Sequence, residues 1–377
     1  MRVRVLARTA VGLALGVGLP LALAGCAGDA KPAGTGSVSV TASDTECKVS
    51  VATLPAGTHV FSVKNTGSKV TEFYVYAEGD RVVGEVENIT PGLTRDLHVE
   101  LAAGSYQTAC KPGMVGDGIR NTLTVTGSAQ ALSEDEQLAA ASKNYEQYVQ
   151  TQVDGLVAQT AAFVAAVKAG DIAKAKSLYP VARTYYERIE PVAESFGDLD
   201  PEIDARDGDL DPGVEWTGFH KLEQDLWVKG DVSGSGPVAD KLNADVAQLK
   251  TLVATVQLKP LELANGAKEL LDEVATSKVT GEEDRYSHTD LWDFQANVEG
   301  SKAAVAALRP ALDQRDPALG PQLDAQFAAV QAELDKYRSG DQWKLYTELT
   351  PDQVKALSDA INGLAEPISK VAATITQ

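Results

Sequence analysis

Near residues 127 to 132 the hydrophobic pattern of this chain changes period, so one kind of secondary structure cannot serve both halves. From Val38 to about Thr126, apolar and polar residues alternate, as in Val38-Ser39-Val40, His59-Val60-Phe61-Ser62-Val63 and Phe73-Tyr74-Val75-Tyr76. Alternation sends successive side chains to opposite faces of a strand. Gly, Pro and Asn break these runs every eight to twelve residues or so, the mark of a small all-β sandwich. Beyond Gly127, Ala, Leu, Gln, Glu and Lys dominate and the spacing becomes helical. Ser133-Glu134-Asp135-Glu136 is a capping box that opens a helix to Ala169. A second helix is expected from Asp171 to about Phe196, with kinks at Pro180 and Pro191. Others are expected near 213–228, 237–257, 259–278, 289–315, 320–338 and 351–375, the last opened by Thr350-Pro351-Asp352-Gln353. The expected protein is multidomain, with an all-β domain over 38–127 and an all-α bundle over 131–377, single or made of two packed bundles. Gly127-Ser128-Ala129-Gln130 reads as the joint, and the two domains are expected to fold independently.

Ahead of both domains, Arg2, Arg4 and Arg8 precede an apolar run from Val11 to Leu23. The run is short for a membrane span and has the layout of a secretion signal. Leu23-Ala24-Gly25-Cys26 resembles a bacterial lipobox, which implies cleavage of residues 1–25 and lipidation of Cys26, leaving residues 26–37 as a flexible tether. Cleavage removes three arginines and no acid, so the formal net charge goes from −19 to −22. Such a chain repels nucleic acid and anionic headgroups and attracts cations. With Cys26 assigned to lipid, Cys47 and Cys110 remain, and outside the cytoplasm an even pair favours a disulfide.

The β half has a cupredoxin outline with altered ligands. The segment from Val63 to Val75 resembles a cupredoxin strand-loop-strand in which Glu72 stands where a copper-ligating histidine is usual. Tyr106 to Met114 resembles the later ligand loop, with Cys110 and Met114 but no histidine between them. A blue-copper site needs two histidines and a free thiolate, so type 1 copper is not expected. If the thiols are reduced, Glu72, Cys47 and Cys110 form a candidate second metal site. If they are oxidised, the pair is structural and Glu72 is a carboxylate at a loop edge.

The helical half carries the sharper signal. His220 is one of four histidines, and in the aromatic stretch from Trp216 to Trp227 it stands three residues before Glu223. Positions three apart share a helical face. Helical bundles build carboxylate-rich metal sites from Glu and His at this spacing. Glu187, Glu190 and Glu194 fall on one stripe of the expected second helix, and Asp290 and Asp293 are again three apart. One imidazole among carboxylates suits ferric iron, manganese or zinc better than cuprous copper. The candidate set is His220, Glu223, Glu187, Glu190 and Asp290; the competing reading of His220 is a neutral hydrogen-bonder in the core. The seven acids from Asp198 to Asp211 match no calcium loop and read as a solvated segment.

The chain has no His-Glu-x-x-His, no Gly-x-Ser-x-Gly and no glycine-rich phosphate loop. Three segments instead carry a family resemblance: Gly218-Phe219-His220-Lys221-Leu222-Glu223, the run from Tyr186 to Asp200, and Arg285-Tyr286-Ser287-His288-Thr289-Asp290-Leu291. With the cupredoxin outline, the mature chain resembles the EfeO family, imelysin-like iron-uptake proteins with an N-terminal cupredoxin domain. The resemblance implies a cupredoxin-like sandwich followed by an imelysin-like bundle. It implies a metal-binding lipoprotein outside the cytoplasm that takes ferrous or ferric iron, with copper or zinc as alternatives, and presents it to an iron permease beside a haem peroxidase. His220 and Glu223 would belong to the metal motif, and Cys47, Glu72 and Cys110 would be the ligands in the cupredoxin part. Many members are soluble in a periplasm, so the lipobox points to a cell lacking an outer membrane. Imelysins have also carried a metallopeptidase label, which the missing second histidine counts against. A third reading, metal-bridged binding of acidic polysaccharide, is opposed by the negative charge.

Overall fold

The computed structural model describes residues 37–80, 82–128, 135–210 and 213–377. The leader, Cys26 and the tether up to Gly36 lie outside the described residues, as do Ala129 to Glu134, with half of the expected capping box, and Asp211.

The alternating stretch forms strands β1 (Val38–Ala42), β2 (Cys47–Val49), β3 (Thr53–Pro55), β4 (Gly57–Asn65), β5 (Thr71–Tyr76), β6 (Val82–Ile89), β7 (Thr94–Leu101), β8 (Gly104–Pro112) and β9 (Ile119–Thr126). They make two sheets, ordered β2-β1-β4-β7 and β3-β9-β8-β5-β6, with β1–β4 and β3–β9 parallel and the other pairs antiparallel. Phe61, Val63, Leu97 and Val99 of one sheet pack against Phe73, Val75, Leu123 and Val125 of the other in a single core. Cys110 lies in that core and is disulfide-bonded to Cys47.

The pleat corrects one expectation. Phe73 and Val75 point into the sandwich, so Glu72, Tyr74 and Tyr76 of the same strand point to the sheet's other face, where they too are buried, and Glu72 stands within a strand and not at a loop edge. Cys110 is the register partner of Phe73, whereas Glu72 pairs with Lys111, whose ammonium lies 4.0 Å over the Tyr74 ring. Cys47, Glu72 and Cys110 therefore do not converge: the sulfurs bond to each other inside the sandwich and the carboxylate faces away from them.

The helical half begins with α1 (Glu136–Lys168), capped by Asp135, whose Oδ1 accepts from the Gln137 and Leu138 amides. The second expected helix is shorter than its pattern. α2 (Ile172–Glu187) runs through Pro180 but stops at Glu187, and a 3-10 segment follows over Glu190–Phe196 with Pro191 in its first turn. Proline has no N–H to continue the α ladder. Glu187, Glu190 and Glu194 consequently share no stripe. The first two turn to Lys278 and Asn297, while Glu194 lines a cleft with Glu85 of β6.

A short helix that the pattern did not announce, α3 (Leu199–Asp204), comes next, then α4 (Gly218–Gln224), continued by a π turn over Asp225–Lys229. α5 (Gly236–Val253), α6 (Pro260–Thr276) and α7 (Asp290–Arg315) lie near their expected places. α8 (Leu319–Leu334) ends before the expected Arg338, which starts a small hairpin, β10 (Arg338–Ser339) with β11 (Gln342–Trp343). The last expected helix divides into α9 (Pro351–Ile368) and α10 (Val371–Ile375). One continuous core runs through these helices, so they form one bundle and not two.

α6 lies along β6 and β7. There Arg95 pairs with Asp272, and the Asn265 amide donates to the His98 carbonyl at 2.7 Å. No helix among the described residues is long and apolar enough to cross a membrane.

Candidate metal centre

Gly218 sets the position of the site. Its φ of +84° is open to glycine and strained for other residues, and a Cβ there would come 2.2 Å from the Ile203 carbonyl oxygen. Two neighbours fasten the same segment to α3: Trp216 Nε1 donates to the Ala205 carbonyl at 2.7 Å, and Thr217 Oγ1 donates to the Glu202 carbonyl at 2.9 Å. This close approach brings His220 at the start of α4 against Asp204 at the end of α3.

His220 and Glu223 do share a face, as their spacing requires. His220 Nδ1 lies 3.1 Å from Glu223 Oε2 and 3.3 Å from the Tyr179 hydroxyl of α2. The other oxygen of Glu223 accepts the backbone N–H groups of Tyr286 and Ser287 at 3.0 and 2.7 Å. These belong to the loop before α7, which also carries Glu283 and Asp284. Tyr179 donates to Asp284 Oδ1 at 2.9 Å, and Thr289 donates to Asp284 Oδ2 at 2.5 Å. On the other edge of the imidazole, Nε2 stands 3.4 Å from Glu283 Oε1 and 3.8 Å from Asp204 Oδ1 but makes no hydrogen bond.

Arg183 of α2 is fully buried in the middle of this group. It pairs with Asp204 and with Glu187 one turn along its own helix, donates to Glu283 at 3.0 Å and to Asp293 at 3.2 Å, and lies 3.5 Å from Asp284. Lys278, also buried, holds Glu187 at 3.2 Å and Glu190 at 2.7 Å. Asn297 donates to the same two carboxylates at 2.9 and 2.7 Å. Asp290 Oδ1 accepts the Asp284 amide at 3.3 Å, and its Oδ2 has no partner.

Of the candidate residues, then, His220 and Glu223 are in contact. Asp290 stands behind the loop, supporting Asp284. Glu187 and Glu190 are held by basic side chains, and of the two only Glu187 belongs to a three-carboxylate group, with Glu283 and Asp293. Asp204, Glu283, Asp284 and Arg183 were missed. Asp204 was hidden inside the stretch read as solvated. Arg183 and Glu187, four apart among apolar neighbours, were the one local signal of a buried ion pair.

The electrostatics follow from packing many carboxylates out of water. Burial raises Asp204 to about 7 and Asp284 to about 6 despite the nearby Arg183. Burial and the adjacent Asp284 raise Asp290 to about 8. For Glu283 burial is outweighed by Lys278, His220 and Arg206, which hold it well below the carboxylate range. For His220, burial and Arg183 disfavour the imidazolium, but Glu223, Glu283 and Asp204 outweigh them and raise it to about 9. The centre thus holds protons and basic side chains where an oxygen-preferring cation could take their place. Three sets of ligand atoms lie within 4.8 Å of one another: Asp204, His220 and Glu283; His220, Glu223 and Asp284; Glu187, Glu283 and Asp293. One imidazole among carboxylates fits a hard or borderline ion.

Comparison with known proteins matches these two halves separately and together. The imelysin family model matches residues 141–371, and a cupredoxin-like domain model matches residues 16–125. Proteins named "Iron uptake system component EfeO" from Escherichia coli and Shigella flexneri are 40% identical to this chain over 341 residues, covering 89% of it and 90% of each relative. Those relatives are named as part of an uptake system and not as an enzyme. With His220 and Glu223 on its helical half, a cupredoxin-like sandwich ahead of it and this identity across both, the chain belongs to the imelysin family, among its EfeO-type members.

Proposed function

We propose that this protein is an extracytoplasmic iron-binding component of an iron uptake system, taking ferrous or ferric iron at the His220 centre and presenting it to a membrane permease. One observation carries the reading: an imidazole and a surplus of carboxylates are sealed together in a bundle whose relatives are named for iron uptake. A buried surplus of negative charge is costly unless protons or cations neutralise it. A bound cation would relieve that cost, and release on arrival at the permease would restore it.

Three finer points belong to the same proposal. Cys26 carries a lipid that tethers the mature chain to the cell membrane, the lipobox being the support. A haem peroxidase acts beside the protein, as the family resemblance implies. Iron is the cargo, with zinc or copper as competitors. No observation favours a peptidase: the centre has a single imidazole, and its carboxylates are bonded to Arg183, Lys278 and backbone amides.

Calorimetric titration of the mature chain with ferrous iron under anaerobic conditions, and with ferric iron as a soluble chelate, tests the central claim. His220→Ala should weaken binding by tens-fold, roughly 2 kcal/mol. A folded His220→Ala protein with unchanged iron affinity would show that the cargo binds elsewhere.

A further inference from the structure

We propose that the seam between the sandwich and the bundle is a proton-held latch: it stays closed while Glu85 of β6 or Glu269 of α6 is protonated, and the sandwich moves off α6 when both are ionised. The latch is separate from the His220 centre and works whether or not that centre binds metal.

The two sides of the seam are built differently. On the β7 side complementary groups meet: Arg95 pairs with Asp272, and the Asn265 amide donates to the His98 carbonyl at 2.7 Å. On the β6 side a cleft of about 60 Å³ is lined by Glu85, by Glu194 of the 3-10 segment, and by Glu262 and Glu269 of α6, among apolar residues such as Val83 and Val192. Glu262 accepts the Lys259 amide at 2.9 Å, and Glu194 is exposed. Glu85 Oε2 and Glu269 Oε2 are buried and make no hydrogen bond. A buried polar atom without a partner is costly, and two carboxylates in one cleft repel when both are charged. A proton on either one removes the repulsion.

Nearby bases do not neutralise the pair. Lys268 stands 3.4 Å from Glu269 Oε1 but 2.8 Å from Asp272, which it shares with Arg95. Lys111 of β8 lies over the Tyr74 ring. The charges that bear most on Glu85 are all carboxylates: Glu194, Glu87 on its own strand, Glu269, and Glu72 on β5. Glu87 accepts from the Tyr74 hydroxyl at 3.3 Å, and burial keeps Tyr74 and Tyr76 as neutral phenols. On β7, burial pushes His98 below its ordinary value despite Asp96, so it supplies no charge at neutral pH.

Burial and these carboxylates push Glu85 well above the carboxylate range, and burial raises Glu269 against the pull of Lys268. An acid raised in the closed form holds its proton there and releases it on opening. Closure is therefore fully favoured below the ordinary value of 4.5 and weakens as the pH rises through the raised values.

Small-angle X-ray scattering of the mature chain, with a chelator and at fixed ionic strength, tests the latch between about pH 5 and about pH 9. A compact chain of this length has a radius of gyration of roughly 20 Å. The radius should hold steady at the acid end and rise by about a tenth toward the alkaline end, with the far-ultraviolet circular dichroism unchanged. A Glu85→Gln, Glu269→Gln double variant carries uncharged side chains of the same shape and should keep the acid-end radius throughout. A flat wild-type radius, an expansion accompanied by loss of secondary structure, or a double variant that expands as the wild type does would each overturn the proposal. If the double variant fails to fold, the salt dependence of the wild type decides. Added salt at alkaline pH should reduce the expansion because it screens like charges, and an expansion indifferent to salt would overturn the proposal.

Discussion

Arg183 Nη2 donates to Glu283 Oε1 across 3.0 Å, joining two buried residues one hundred positions apart in the chain. The contact ties α2 to the loop before α7. It also places a permanent positive charge among carboxylates that would otherwise repel one another. Replacing Arg183 with Met removes the charge and leaves its partners buried without it. The expected cost is about 3–5 kcal/mol of folding stability, since breaking a buried pair strands the surviving charges. Urea unfolding followed by circular dichroism measures it, and a loss below about 1 kcal/mol would show that the carboxylates are neutralised in some other way.

Gly218→Ala should be as damaging to the site as to the fold. The new Cβ would stand 2.2 Å from the Ile203 carbonyl oxygen on a backbone with positive φ. Strain of that kind costs on the order of 1–3 kcal/mol. Moving α4 away from α3 would also separate His220 from Asp204, so metal affinity should fall together with the melting temperature. A variant that melts lower but binds metal as the wild type would uncouple the two effects.

The raised pKa of His220 gives opposite pH trends with and without metal. In the metal-free protein the imidazolium persists through neutral pH because the pKa stands at about 9 instead of 6.5. Its contribution to folding is fully present below about pH 6.5 and is lost as the pH rises through 9. A cation taking a ring nitrogen must expel a proton, so affinity should instead rise with pH, by about tenfold per unit for that one proton. Zn2+ competition titrations between about pH 6 and pH 8 test the second trend, and melting curves of the metal-free protein test the first. An affinity that stays flat over this range would mean that His220 is not a ligand.

The disulfide should matter to the sandwich and not to the metal centre. Cys47 and Cys110 lie in the β core, and Glu72 points to the opposite face of the sheet. Thiol labelling of the denatured, non-reduced protein should find almost no free cysteine at these positions. The Cys47→Ser, Cys110→Ser double variant should lose about 2–4 kcal/mol of stability while binding metal at His220 unchanged. Loss of that binding would show a coupling between the domains that these contacts do not account for.

Much of the architecture was legible because it depends on neighbours in sequence. The alternation around Phe61 and the helical spacing through α1, α5 and α6 report which face each residue presents, and burial followed those faces, whereas β5 is buried along its whole length and the first half of α7 on nearly every side. Backbone rules that act within one turn were less decisive. Pro180 sits inside α2 without ending it, while the chain leaves the α ladder before Pro191, and that separated Glu194 from Glu187 and Glu190.

The sequence by itself determined the two halves, the pairing of His220 with Glu223 and the pair of cysteines left for a disulfide, because period, helical spacing and parity need no knowledge of distant residues. Only the tertiary structure decided that Asp204, Glu283, Asp284 and Arg183 complete the centre, and that Glu72 does not join Cys47 and Cys110. Whether an acid is solvated or buried against a guanidinium depends on which segments meet, and a run of acids such as Asp198 to Asp211 looks alike in either case. The close approach that Gly218 permits brings α3 onto α4, and burial there turns one carboxylate of that run, Asp204, into a neighbour of His220.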